Sequence, residues 1–487
     1  MTASASQGRS GAIVATLAGA GIVASVMGTL LVPLIGELPR LLDTSSANAS
    51  WVITMTLLTG AVATPVVGRL GDLHGKRRLL LFCVGLLVAG SLICALSDSL
   101  APMLIGRGLQ GIGMAIVPLG ISTMRDVVPP ERLGASVALM SSSLGIGGAL
   151  GLPVAAAIAE NADWHVLFWA SAVIAALIGI AIAVFLPHVP PATRGRFDVP
   201  GAIGLAAGLV CLLLAVSKGG DWGWGSATTL GLFAAAAVAL LLWGWFELRT
   251  RDPLVDLRTT ARRQVLLTNL TSVVVGFSMY AQSLAAPQLL QLPQSLGYGL
   301  GQSMLAAGLW MAPAGLMMMV VSPISARVSG RHGPRTSLLA GTLIIAAGYA
   351  LALPLMGTAV GILVFSCVIS VGVAFAYGAM PALIMGAVPR SETAAANGFN
   401  SLMRSIGITV SSAIIGVVLA QLTQSAGGVP VPTEAGFQVV FVLGGAVALV
   451  AALVTLAIPR RTTSIPALTI TETEPATKRL MTEGDPV

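Results

Sequence analysis

The sequence predicts an all-α integral membrane protein of about fourteen transmembrane helices: two six-helix bundles as parallel pseudo-repeats, with two helices inserted between them. Three observations lead there. Apolar residues make up 55% of the chain and charged residues only 9%, too little polarity for a soluble globule. The apolar residues fall in continuous runs long enough to cross a hydrocarbon layer of about 30 Å, which takes roughly 20 helical residues. A charged turn early in the chain is echoed in its second half.

In chain order the runs lie at 11–36, 51–70, 79–97, 101–124, 134–158, 164–187, 198–217, 226–248, 265–290, 302–325, 336–355, 358–387, 395–421 and 436–459. None alternates, which excludes a barrel. The first run follows Arg9 as a secretory signal would, but it is too long and no small-residue cleavage site precedes the next run, so it reads as an uncleaved span. Spans two and three are joined by GRLGDLHGKRR, Gly68 to Arg78, which gathers much of the local charge. Span four carries Arg107 and Gln110, and span five the glycines Gly145, Gly147, Gly148 and Gly151 followed by Pro153. Spans seven and eight, within 188–264, are the inserted pair. Spans one to six occupy 11–187 and spans nine to fourteen 265–459. Residues 1–10 read as a cytoplasmic tail, and 460–487, rich in Thr, Glu and Pro, as a disordered cytoplasmic one.

The repeat rests on loops in matching register. Placing Gly68–Arg78 over ARVSGRHGPRT, Ala326 to Thr336, pairs Arg69 with Arg327, His74 with His332, Gly75 with Gly333 and Arg77 with Arg335. Asp72 has no counterpart, because Gly330 stands opposite it. IGMA and VVPPER (112–115, 127–132) echo VGVA and AVPRSE (371–374, 387–392) in almost the same register. Equivalent loops lie on the same membrane side, so the repeats are parallel, related by an axis along the membrane normal.

Alternate loops hold Arg69, Lys76, Arg77 and Arg78, then Arg125 and Arg132, Arg194 and Arg196, Arg249 to Arg263, Arg327 to Arg335, and Arg390. The opposite loops hold only Arg40 and Lys218. This bias predicts a multi-pass plasma-membrane protein with both termini cytoplasmic. The net charge of +7 is spread over these loops, which argues against nucleic acid as a partner. Cys83, Cys94, Cys211 and Cys367 fall within apolar runs without metal-ligand spacing and read as small core residues; no metal site is expected.

These stretches resemble a known family. GRLGDLHGKRR is similar to the signature loop of the major facilitator superfamily, and RGLQGIGMA, Arg107 to Ala115, to its span-four signature. GGALGLPVAA, Gly147 to Ala156, resembles the antiporter signature of span five, although Leu152 separates Gly151 from Pro153 and Ala155 and Ala156 replace two glycines. The fourteen-span layout, with RFDVPG opening span seven and DPLVDLR before span nine, looks like the drug:proton antiporter branch. That branch carries an acid in span one; aligned on Pro33, the position here is Ala24.

For the turn, the glycines Gly68, Gly71 and Gly75 permit tight chain reversal and close helix approach, while Asp72 can accept from basic side chains or sit at a helix N-terminus. The resemblance implies that the motif, Gly68, Arg69, Gly71, Asp72, Gly75, Lys76 and Arg77, clasps the two halves on the cytoplasmic side in the outward-facing state. It also implies that Arg107 serves proton coupling, with Gln110 as a neutral partner one turn on. Proton carriers would have to be peripheral: Glu37, Asp43, Asp72, Asp126, Glu160 or Asp163, of which Glu37 and Asp126 are the leading candidates, and Asp126 could join the Asp72 latch. In span five, Gly147, Gly151 and Pro153 form the antiporter motif. Candidate cavity residues are Trp51, Asn269, Phe277, Tyr280, Gln282, Gln288, Trp310, Tyr377 and Asn400, a mixed apolar and amide lining suited to a bulky hydrophobic ligand.

The expected function is secondary active transport: proton-coupled efflux of hydrophobic drugs or a lipophilic metabolite by a monomer in the lipid bilayer, with a proton gradient as energy source and no cofactor. A facilitator or uptake permease not driven by protons, favoured by Ala24, and a non-transporting receptor or scaffold stand as alternatives. No phosphate-binding G-x-x-x-x-G-K-[ST] loop occurs, and His74, His165, His188 and His332 all lie in loops or at span ends, so ATP hydrolysis and an embedded enzyme are not expected. The Ala- and Gly-rich composition points to a bacterial source.

Overall fold

A computed structural model of the protein describes residues 2–31, 34, 37–191, 195–426 and 429–459. The expected tail at 460–487, like Pro33 and Arg194, lies outside them. In chain order the helices are α1 Thr2–Thr29, the short α2 Leu38–Leu41 and α3 Ser46–Ala49, α4 Trp51–His74, α5 Lys76–Ala95, α6 Leu100–Gly113, α7 Ile116–Val127, α8 Pro130–Asn161 and α9 His165–Phe185. Then follow α10 Val199–Trp222, α11 Ala227–Glu247, the short α12 Leu257–Thr260, α13 Arg263–Gln291, α14 Met304–His332, α15 Pro334–Leu355, α16 Ala359–Ala387, α17 Thr393–Gln421 and α18 Glu434–Leu456. Fourteen helical stretches among the described residues are long and apolar enough to cross a membrane, so the chain is a multi-pass membrane protein.

Several details depart from the sequence reading: helix α1 already starts at Thr2, within the stretch read as a tail, and two other departures have a local cause in a proline. The first helix ends at Thr29 rather than near residue 36. Pro33 lacks an amide hydrogen, and its ring would strike the carbonyl of Thr29 in a continued helix. Span four is two helices, α6 and α7, broken at Met114 and Ala115, and Pro118 stands in the same relation to Met114. Between α17 and α18 the chain forms a two-stranded antiparallel hairpin, β1 Thr423–Ala426 with β2 Val429–Pro432, instead of plain loop.

Two large apolar cores form. One is built almost entirely from residues between Ile13 and Leu186, the other from residues between Val275 and Ile458 apart from a few edge contacts. A smaller cluster joins α10 to α4 and α17 through Leu58, Leu205, Leu209 and Leu402. The sequence echo is visible in the backbone. Gly75 and Gly333 both take left-handed φ values, +94° and +84°, which let one helix stop and the next start without the clash a β-carbon would bring. The paired arginines also do the same job. Arg77 donates to the carbonyl of Ala183 near the end of α9, and Arg335 donates to Leu456 O at 2.6 Å at the end of α18, each satisfying an orphan carbonyl of the last helix of its own half.

The halves meet along two helix pairs. Against α14, Gly145 of α8 abuts Met318, Ala149 abuts Gly315 and Pro153 abuts Gly308. Against α17, Gly68 of α4 abuts Ala394, and Gly398 abuts Thr64 and Pro65. This second contact lies at the arginine-rich end of both helices, called here the basic face. The helices α1 and α13 share no extended packing among the described residues.

A carboxylate latch and a buried arginine

The basic face is shut by one carboxylate. Asp72 is fully buried, and its Oδ2 accepts from the backbone N–H of Ala394 at 3.1 Å and of Ala395 at 3.0 Å, with Oδ1 3.3 Å from the first. These are amides of the first turn of α17, whose own N-cap residue, Glu392, makes no side-chain cap bond. Asp72 therefore caps, from the other half of the chain, a helix that does not cap itself. A carboxylate at that point satisfies two orphan donors and meets the positive end of the helix dipole. The turn stays close enough only because Gly68 lacks a side chain: a β-carbon there would stand 2.6 Å from Ala394 O and 3.0 Å from its carbonyl carbon.

Cations surround the latch. Lys76, itself buried, lies 3.8 Å from Asp72 and 2.6 Å from Asp126, and donates to Ser122 O at 3.3 Å. Arg125 donates to Thr393 Oγ1 at 2.5 Å, across to the same first turn of α17. Asp126, expected near the latch, stands on the far side of Lys76 from Asp72. Arg69 lines a cavity of about 180 Å³ beside it, together with Asn269, Glu392 and the chain segment from Arg251 to Thr260. The clash at Gly68 is between halves, not within one. Gly68→Ala is accordingly expected to hold α4 and α17 apart while leaving thermal unfolding within about 1 kcal/mol of wild type, the scale of a Gly-to-Ala helix change, as calorimetry would show.

Arg107 sits elsewhere, at the junction of four helices, with 1% of its surface exposed. Its Nη1 donates to Met27 O at 3.0 Å and to Gln110 Oε1 at 2.7 Å, and its Nε to Val52 O at 3.4 Å; Gln110 in turn donates to Ser91 Oγ at 2.8 Å. Met27 is among the last residues of α1, so its carbonyl is one the helix leaves open, and a cation there suits the negative end of the dipole. No ion pair reaches Arg107 among the described residues; carbonyl dipoles alone offset its charge. Glu37 does not serve it: that carboxylate pairs at 3.1 Å with exposed Arg40. Ala24, where the resembled branch has an acid, is 1% exposed within the first core.

The span-five glycines are packing positions. A β-carbon on Gly147 would lie 2.2 Å from Ser25 Cβ, and one on Gly151 2.2 Å from Thr29 Oγ1, so α8 and α1 touch along this face. Ser25 also donates to Leu144 O at 2.7 Å. Pro153 faces the other way, against Gly308 of α14.

The nine proposed cavity residues do not form one lining. Trp51 stacks toward Trp222 at 6.4 Å and under Lys218, both on the inserted helix α10. Trp310 donates to Gln302 at 3.3 Å near the start of α14, Gln282 is buried, and Gln288 is only partly so. Asn269 and Asn400 do meet: Asn400 Nδ2 lies 2.9 Å from Asn269 Oδ1 and 2.7 Å from Ser272 Oγ, between α13 and α17. Ser411, about three turns further along α17, donates to the carbonyl of Phe277 at 2.9 Å, Tyr280 meets Ser412, and Tyr377 lies under Arg404.

Sequence reasoning passed over Arg404, which was left out of the loop charges because it falls in or at the edge of a span. It also passed over the paired Asp198 and Glu247 at one end of α10 and α11. Asp198 Oδ1 caps α10 through Gly201 N at 2.9 Å, and Glu247 Oε1 accepts from Val255 N at 2.6 Å. Their other oxygens both face Gly201, where the two carboxyls meet each other. The position of Asp198 within RFDVPG was the available signal.

Comparison with known proteins fits this architecture. The sequence profile of the Major Facilitator Superfamily matches residues 17–412 and again 268–482. A "Lincomycin resistance protein LmrB" of Listeria monocytogenes is 29% identical, covering 89% of this chain and 93% of its own. "Multidrug resistance protein Stp" of Mycobacterium tuberculosis is 27% identical over 79% of this chain and 71% of its own. "Multidrug resistance protein 3" of Bacillus subtilis is 25% identical over 82% and 75%. The crystal structure of the human organic anion transporter MFSD10 (TETRAN) shares the fold, with a TM-score of 0.65 at 18% identity, covering 92% of this chain and 99% of that one. With two similar helical halves, an interhalf turn built as in the signature loop and a profile match over most of its length, the chain belongs to the Major Facilitator Superfamily of membrane transporters.

Proposed function

We propose that this transporter exports hydrophobic small molecules in exchange for protons, by alternating access of a monomer whose basic face is cytoplasmic. The names of the drug-resistance relatives support the direction and the substrate type. The observation that carries the reading is the Asp72 latch: the two halves are held shut at the basic face by a carboxylate on two backbone amides, a contact that depends on a single negative charge. Protonation of Asp72, or movement of Lys76 from Asp126 onto it, weakens the hold on α17 and lets the halves part. Arg107 keeps α1, α4, α5 and α6 in one arrangement around a fixed cation. Both termini then lie in the cytoplasm, and the arginine-rich loops follow the positive-inside distribution.

Ala24 favours a second reading, a facilitator without proton coupling, because the acid usual in the resembled branch is replaced by a core alanine. Everted vesicles separate the two. An imposed pH gradient, acid inside, should drive accumulation of a lipophilic dye to at least tenfold, and a protonophore should abolish it. Equilibration to equal concentrations, indifferent to the protonophore, is the facilitator's behaviour.

A further inference from the structure

The membrane interior of this protein carries positive charge and no negative charge to match it. Among the described residues, no carboxylate stands more than one turn inside a membrane-spanning helix. Two arginines stand much deeper. Arg107 is sealed by carbonyls, as described above. Arg404 lies about 17 Å along α17 at roughly 1.5 Å per residue, near the middle of a bilayer about 30 Å thick.

Arg404 is held for use rather than neutralised. Its guanidinium carbon lies 4.9 Å from the centroid of the buried Tyr377 ring, its Nη2 donates to Ser401 Oγ at 2.7 Å, and its Cγ rests against Gly276 of α13. It forms no ion pair among the described residues, and it is only partly buried. Five donors in a planar fork are thus served by one hydroxyl and one ring face. On α17 the positions Asn397, Ser401, Arg404, Ser405 and Ser412 follow helical spacing and make one polar stripe. Two other faces of the helix are already committed. Asn400, Gly407 and Ser411 pack on α13, and Gly398 and Leu402 pack toward α4 and α10. The stripe opens between α13 and α4, that is, between the halves, where Tyr280 meets Ser412. A charged, polar strip in that place is costly against lipid and is suited to a ligand-bearing cavity.

We propose that Arg404, seated on Tyr377, binds the acidic group of the transported molecule, so that the substrate is a lipophilic compound carrying one carboxylate or sulfonate. This rests on the export function proposed above and narrows its substrate class. A lipophilic cation placed here would meet an uncompensated arginine and no acid. An anion completes the fork, and its apolar body lies along the neighbouring side chains. Ser401 and Tyr377 are positioning residues, which hold the guanidinium where the acid arrives.

The test is binding, measured without transport, on purified full-length protein in lipid nanodiscs. Tritiated 1-naphthylacetate and tritiated 1-naphthylmethylammonium serve as probes that share one naphthalene ring and carry opposite charge. Wild type should bind the anion saturably and at least tenfold more tightly than the cation. Arg404→Gln should weaken anion binding at least tenfold, and Arg404→Lys, which keeps the charge but loses the fork, should restore part of it. Unfolding temperature, followed alongside, should be near wild type for Arg404→Lys. No saturable anion binding, preference for the cation, or indifference of anion binding to Arg404→Gln each overturns the proposal. Proton-driven export of a cationic dye by the same protein reconstituted into closed vesicles would then show that the transport function stands while this substrate class falls.

Discussion

Asp72→Asn should leave the protein folded in the membrane but shift it strongly away from the state closed at the basic face, and cut transport at least tenfold. The asparagine is the same size, so packing against Ala394 and Ala395 is kept. What changes is chemistry. A carboxylate presents acceptors to both amides, whereas the asparagine amide presents one oxygen and a pair of donors to a surface that only donates. The charge that met the α17 dipole and Lys76 disappears as well. Hydrogen bonds to a charged group contribute about 1.5–3 kcal/mol each, and a loss of about 2 kcal/mol moves a two-state equilibrium nearly thirtyfold. Transport assays and the unfolding temperature together check this: activity should collapse while unfolding stays within a few degrees of wild type.

The second large effect is expected at Arg107, and it differs in kind. Arg107→Ala removes a fully buried side chain and leaves the carbonyls of Met27 and Val52 and the amide of Gln110 without their donor. Each unsatisfied buried group costs about 1–3 kcal/mol, so a visible fall in thermal stability accompanies the loss of function. Arg107→Lys should recover much of the stability, since an ammonium can still serve one or two carbonyls. It should not recover gradient-driven transport, because a point charge cannot span α1, α4 and Gln110 at once. Measuring unfolding and pH-driven dye accumulation on both variants separates the scaffold role from the coupling role.

Much of the fold was legible because a bilayer imposes one simple requirement on every span. Fourteen apolar runs gave fourteen helical stretches; Pro33 and Pro118 mark where one was cut short and another broken, and some helices run on past the apolar stretch, α10 to Trp222 and α14 to His332. The latch was half legible. The need of a carboxylate in a glycine-rich turn for a helix N-terminus is local chemistry, and Asp72 was readable on that basis. That the N-terminus belongs to α17, more than 300 residues away, depends on how the halves dock, which no local pattern encodes. Which group Glu37 faces was illegible for the same reason: being near the end of span one says nothing about which way the chain turns after it, and its carboxylate pairs with Arg40. Trp51 shows the limit of reading aromatics as cavity lining, since an inserted helix with its own Trp222 and Lys218 claimed it. Arg404 was available from spacing alone, as the centre of a polar stripe in an apolar helix, and was missed because it was set apart from the loop charges without being read as part of a face.

Spin labels report the motion on which the account depends. In a cysteine-free background, one pair at Arg78→Cys and Arg390→Cys spans the halves at the basic face, and another at Asp43→Cys and Gln291→Cys spans them at the opposite face; all four positions are exposed. Double electron–electron resonance in nanodiscs, at high and low pH with and without a transported dye, gives both distances. The account predicts reciprocal change: the basic-face distance is short when Asp72 is ionised, lengthens as the opposite-face distance shortens, and is long throughout in Asp72→Asn. A basic-face distance that stays fixed across pH and dye, or that is unchanged by Asp72→Asn, would contradict it.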